Sequence, residues 1–185
     1  MHGLVTGQDP RNRCGDLELK LENPLGFFES ERLVNINDSL LQSLGCHWDK
    51  PPLLPANWDK SPLLEALQHH RSNLSSYALE NDWVDKDPRL CITYPAFMHI
   101  LLRRIPLVVA LREPLEVATS LYLRNGFSLN RGLVLWWIYN FHIASQLCSK
   151  DLLISYKNLL SLDHQGLQSF FGPFLEIHNR QSPSD

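Results

Sequence analysis

The stretch Leu107-Val108-Val109-Ala110-Leu111-Arg112-Glu113-Pro114-Leu115-Glu116-Val117-Ala118-Thr119-Ser120 decides how this chain is read. Its first residues are a continuous apolar run, the pattern of a strand covered on both faces in a parallel sheet. Arg112-Glu113 ends the run. Pro114 suits the first position of a helix, where its missing N–H is no loss. Strand, turn and helix in that order point to an α/β layer architecture, in which ligands gather beyond the carboxyl ends of the strands. Arg112 is expected at such an end, and the helix from Pro114 turns its positive dipole end to the same place. Ser120 lies six residues beyond Pro114, roughly 9 Å along the axis at about 1.5 Å per residue. A guanidinium forks onto two phosphate oxygens and a hydroxyl donates to a third, so Arg112 and Ser120 can share one anion lying along the helix flank. The plainer alternative is an arginine that caps the sheet and pairs with a nearby carboxylate. The local charge favours an anion. Between Ile100 and Arg131 stand Arg103, Arg104, Arg112, Arg124 and Arg131 against Glu113 and Glu116, net +3 in a chain whose net charge is −3.

Outward from this unit, helical and strand patterns alternate. Leu4-Val5-Thr6-Gly7 reads as a short strand. Ser30 to Leu44 reads as a helix with Ser30 as cap, Leu33, Ile36, Leu40 and Leu44 at helical spacing, and Gly45 where a positive φ is needed. Ser61-Pro62 opens a second helix, after a proline-rich loop. Asp85 to Pro88 is a loop, and Leu90 to Tyr94 is expected as a strand. Helices are expected over Ala96–Arg104, Gly132–Ser149 and Gln165–Phe171, and a further strand over Leu152–Tyr156. Trp136, Trp137 and Phe141 are assigned to the core. The expected organisation is an ill-defined N-terminal segment (1–22), one α/β domain (23–177) and a polar tail (178–185).

Several classes drop out. Hydrophobic residues make up 44% and charged residues 20%, a globular balance that argues against wholesale disorder. The acidic net charge argues against a general nucleic-acid binder. No apolar window suits a membrane span, and the first residues have no apolar core of a secretory signal, so a cytoplasmic protein without membrane or nucleic-acid partners is expected. Cys14, Cys46, Cys91 and Cys148 are scattered, with no zinc spacing, and are read as reduced thiols. His69 and His70 point in different directions on a helix, and no metal is expected. No GxxxxGK[ST] is present, which counts against a nucleotide kinase.

Four blocks taken in order resemble the bacterial sulfotransferase family, a branch of the P-loop-like sulfotransferases, over Asn23 to about Leu175. They are Asn23-Pro24-Leu25-Gly26-Phe27-Phe28-Glu29, similar to NPxGFWE; Lys86-Asp87-Pro88-Arg89 with the expected Leu90–Tyr94 strand; Leu111 to Leu121, similar to RxPxxVxxS; and Ile154-Ser155-Tyr156-Lys157-Asn158-Leu159-Leu160, similar to a strand-Tyr-(Glu)-x-Leu segment. The resemblance implies a three-layer α/β sandwich with a central, mostly parallel sheet. It implies transfer of a sulfuryl group from 3′-phosphoadenosine 5′-phosphosulfate (PAPS) to a hydroxyl or amine of a small-molecule or glycan acceptor. Carried over residue by residue, Arg112 and Ser120 hold the 3′-phosphate, Arg89 lines the donor site, and Glu29 and Lys86 are the catalytic candidates, Glu29 as the base on the acceptor hydroxyl. The family opens with a strand, of which Leu4-Val5-Thr6-Gly7 is the trace here, and a GxxRSGTS-like loop that binds the 5′-phosphosulfate through backbone N–H groups; that loop has no counterpart after Gly7, where Gln8-Asp9-Pro10-Arg11-Asn12-Arg13 stands instead. The expected fold is therefore N-terminally shortened. The competing expectation is a non-catalytic domain that keeps only a 3′-phosphate or anion pocket.

Overall fold

The computed structural model describes residues 5–6, 29–57, 65, 67–72, 83–84 and 86–179. The protein is α/β, with helices predominating and two separate two-stranded parallel sheets among the described residues. The chain divides into two compact units, Met1–Arg104 with Val134–Ser145, and Ile105–Leu133 with Gln146–Asp185. The Asn23–Phe28 block, Ser61-Pro62 and residues 180–185 lie outside the described residues, as does the 1–22 segment apart from residues 5–6.

In the first unit, β1 (Val5–Thr6) pairs in parallel with β2 (Trp83–Val84), Val5 opposite Trp83. Helix α1 (Glu31–Ser43) starts where Ser30 caps it, the Ser30 Oγ accepting from the Leu33 N–H. Leu33, Val34, Ile36, Leu40 and Leu41 form its buried stripe. Gly45 follows at φ +66°, the left-handed backbone that glycine adopts without a Cβ penalty. Residues 67–72 are helical, with Leu67 and His70 buried.

Helix α2 (Leu90–Leu101) replaces the strand expected over Leu90–Tyr94. Two local effects start it. The Asp87 Oδ1 accepts from the Arg89 N–H at 2.9 Å, and the Leu90 and Cys91 N–H groups donate to the carbonyls of Asp87 and Pro88. Packing then overrides the β-branched Ile92 and Thr93 and the internal Pro95, because Ile92, Tyr94, Ala96, Phe97 and Ile100 are all buried. Helix α2 stops at Leu102, before the expected Arg104. Leu102 has φ +53°, a conformation that costs a leucine about 1–2 kcal/mol.

In the second unit, β3 (Val108–Leu111) pairs in parallel with β4 (Leu152–Ser155), Leu111 opposite Ser155. The strand forms where the apolar run predicts it, but it is not covered on both faces: Val108 is 46% and Leu111 37% exposed. Among the described residues the sheet has two strands, and an apolar run reports strand propensity without reporting what lies over it. Helix α3 (Pro114–Asn125) follows with Pro114 in its first turn; Ala118 and Leu121 are its buried residues, while Leu115 and Tyr122 face solvent. Tyr156 ends no strand. It opens helix α5 (Tyr156–Ser161), with Ser155 as cap. The last helix, α6 (His164–Asn179), runs past the expected Phe171 and through Pro173.

Helix α4 (Leu129–Ala144) begins three residues before Gly132 and ends before Ser149. The Ser128 Oγ accepts from the Arg131 N–H at 3.2 Å, a cap that the sequence offers just ahead of Leu129. Gly132 is inside the helix because it must be small: a Cβ there would sit 2.6 Å from the Ala118 Cα. Leu135, Ile138, His142 and Ile143 are the buried residues of its later turns. Trp137 and Phe141 are not core residues. They stack on each other at 5.3 Å on the solvent face, Trp137 being 55% exposed. Two buried-face side chains of α4 tie down the proline-rich loop: the Tyr139 hydroxyl donates to the Trp48 carbonyl and the His142 Nε2 to the Pro52 carbonyl, each at 2.8 Å.

Candidate functional sites

The expected site residues fall into both units: Glu29, Lys86 and Arg89 belong to the first, Arg112 and Ser120 to the second.

In the second unit Arg112 follows β3 directly and precedes α3, as the sequence predicts. Its Nε donates to the Glu116 Oε2 at 3.1 Å, one helical turn away. Both side chains are substantially exposed, 41% and 58%, so this pair contributes only about 0.3–0.5 kcal/mol. The guanidinium carbon lies 5.1 Å from the centre of the Tyr156 ring. Ser120 is half-buried on α3, four residues after Glu116. Residues four apart share a helix face, so Glu116 and Ser120 lie on one side of α3, while Arg112 stands before the Glu113 cap, outside the helix. An anion held by Arg112 competes with the Glu116 carboxylate for its guanidinium. Arg112 follows the strand and Ser120 lies on the helix, as the sequence order predicts, and Arg112 pairs with a nearby carboxylate, Glu116, as the plainer alternative has it.

In the first unit the two catalytic candidates meet. The Lys86 Nζ donates to the Glu29 Oε1 at 2.5 Å, with the carboxylate largely buried and the ammonium exposed. Glu29 sits just ahead of the Ser30 cap, and Lys86 follows β2, so a helix start and a strand end bring them together. Arg89, expected in the donor site, is instead built into the packing. Its Nη1 donates to the Asp87 Oδ1 at 3.0 Å, and its Nε lies 2.6 Å from the Asp38 Oδ1, an ion pair without an aligned hydrogen bond. Burial alone would lower the Arg89 pKa, but the carboxylates of Asp87 and Asp38 outweigh it and raise it.

Around this pair is a buried polar network that sequence reasoning missed. The Asn37 Nδ2 donates to the Asp87 Oδ2 at 2.9 Å, and the Thr93 hydroxyl donates to the Asn37 Oδ1 at 2.5 Å. Asn37 and Thr93 are fully buried, and the Asp87 side chain has no exposure. The signal was present in Asn37, a polar residue on the apolar stripe Leu33–Ile36–Leu40. Burial, reinforced by Asp87, pushes the nearby Cys91 thiol up to about 12. Tyr139 is likewise raised, mainly by burial. Both groups therefore stay protonated and unreactive at neutral pH.

Among the described residues no group of three or more His, Cys, Asp or Glu side chains is arranged to hold a metal ion, and no helix is long and apolar enough to cross a membrane. Cys46, Cys91 and Cys148 are free thiols; Cys14 lies outside the described residues. No protein-family model, curated protein or solved structure matches this chain.

Proposed function

We propose that this chain is a cytoplasmic sulfotransferase-type domain that takes PAPS as donor and transfers its sulfuryl group to a hydroxyl or amine of a small-molecule or glycan acceptor. The observation that carries the reading is Arg112: an arginine at the carboxyl end of a parallel strand, beside the N-terminus of α3, with an aromatic ring against its guanidinium. The proposed fold is the three-layer, P-loop-like sandwich of that family. Arg112 and Ser120 take the 3′-phosphate through charge-assisted hydrogen bonds. With a hydroxyl acceptor, the new S–O bond forms to the acceptor oxygen while the S–O bond to the donor's phosphate breaks. The step needs a base for the acceptor proton and a cation for the leaving phosphate, the roles that the resemblance gives to Glu29 and Lys86. No metal enters this scheme.

A second reading is favoured by the closed Lys86–Glu29 pair, in which the proposed base and cation already neutralise each other. In that reading the domain is non-catalytic and keeps only the 3′-phosphate pocket. One experiment separates the two. The full chain is titrated calorimetrically with 3′,5′-diphosphoadenosine, and sulfate transfer from PAPS is assayed on the same preparation with a panel of hydroxyl and amine acceptors. Binding with transfer supports the enzyme, and binding alone supports the anion-pocket reading. No binding of the nucleotide removes both.

A further inference from the structure

The contact between Arg112 and Tyr156 is a product of strand register. Leu111 is paired with Ser155 in the parallel β3–β4 ladder, so Arg112 and Tyr156 are the next residues on adjacent chains, one step beyond the last pair. Ser155 then fixes the turn, its Oγ accepting from the Asn158 N–H at 3.1 Å as α5 begins. The half-buried Tyr156 is thereby held beside the strand end, and the guanidinium lies over its ring.

An exposed i,i+4 ion pair such as Arg112–Glu116 does little to hold a long side chain in one conformation. A guanidinium held over an aromatic face is more restricted. Less rotamer freedom is then lost when an anion binds. We infer that Tyr156 is a positioning residue for Arg112: its ring restrains the guanidinium at the strand end, where it meets a phosphate group. This inference rests on reading Arg112 as a phosphate ligand.

The test follows the 1H–15N resonance of the Arg112 Nε–Hε group in the full chain while 3′,5′-diphosphoadenosine, or separately inorganic phosphate, is added. Tyr156→Phe keeps the ring and binds the nucleotide within about twofold of the unsubstituted protein. Tyr156→Leu binds about tenfold more weakly, and its Nε–Hε resonance loses the ring-current displacement even without ligand. Tyr156→Gln serves if the leucine variant does not fold. Equal affinity in Tyr156→Leu, or an unmoved Nε–Hε resonance, overturns the inference. Tyr156-dependent binding of inorganic phosphate without nucleotide binding supports the inference and removes the PAPS reading. No response to either anion overturns both.

Discussion

The two units stabilise themselves differently. In the first, Leu33, Leu40, Leu41, Tyr94 and Phe97 are almost wholly buried, and the polar groups among them are joined through Asn37, Asp87, Arg89 and Thr93. In the second, Ala118, Leu121 and Ile154 are the buried apolar residues among those described, while Val108, Leu115, Leu123, Leu153 and Leu160 face solvent. Its candidate ion pair, Arg112–Glu116, is exposed as well. A buried polar network specifies geometry because each member is costly to leave unpaired. An exposed arginine at a strand end is cheap to re-partner, which is what an anion site needs. The contrast separates a charge that holds the fold, Arg89, from one available for exchange, Arg112.

The sharpest way to break that contrast is Asp87→Ala. It leaves Asn37 without its buried acceptor and Arg89 with Asp38 as its remaining carboxylate, and we expect a loss of about 2–4 kcal/mol in chemical denaturation, at about 1–3 kcal/mol for each buried group that loses a partner. A loss under 1 kcal/mol, roughly that of an exposed pair, would mean the network is not structural. In the second unit the largest stability effect is expected at Gly132→Ala, because a Cβ there meets the Ala118 backbone at 2.6 Å. Overpacking of this kind costs about 1–3 kcal/mol, and an unchanged melting temperature would show that α3 and α4 do not pack this closely.

Smaller effects refine the comparison. Glu116→Gln removes the carboxylate that competes for Arg112 and repels an incoming phosphate. Affinity for 3′,5′-diphosphoadenosine should rise about fivefold, on the order of 1 kcal/mol, and a fall in affinity would give Glu116 a ligand role instead. The smallest effect is a pH dependence at His70. Burial, and secondarily His69, lower its pKa below the ordinary 6.5. Its Nδ1 is buried without a partner, while Nε2 meets the Ser39 hydroxyl at 2.8 Å. The folded state therefore prefers neutral His70, and the unfolded chain takes up the proton first. Stability should fall as pH drops through 6.5 and level off below the folded pKa. His70→Gln should flatten that part of the profile; an unchanged slope would assign it to other groups.

Much of the second unit was legible from the sequence. The apolar run Val108–Leu111, the Pro114 helix start and the Leu152–Ser155 strand follow local rules, and local rules place Arg112. The first unit was harder. Leu90–Tyr94 has the β-branched residues of a strand and a proline directly after it, yet burial of Tyr94 and Phe97 and the Asp87 turn make it helical. The same tertiary contacts turn Arg89 from a site candidate into a structural partner of Asp38. Trp137 and Phe141 were misplaced because apolar character does not reveal which side of α4 is covered. Lys86 and Glu29 lie far apart in sequence, and only the fold brings them to 2.5 Å.

Phosphorus NMR offers the most direct check on Arg112. The full chain and its Arg112→Ala variant are each titrated with 3′,5′-diphosphoadenosine while the two phosphate resonances are followed separately. The 3′-phosphate resonance should shift and broaden with the unsubstituted protein and stay at its free position with the variant. Identical 3′-phosphate shifts in both proteins, or a shift of the 5′-phosphate alone, would contradict the assignment of that guanidinium to the ribose phosphate.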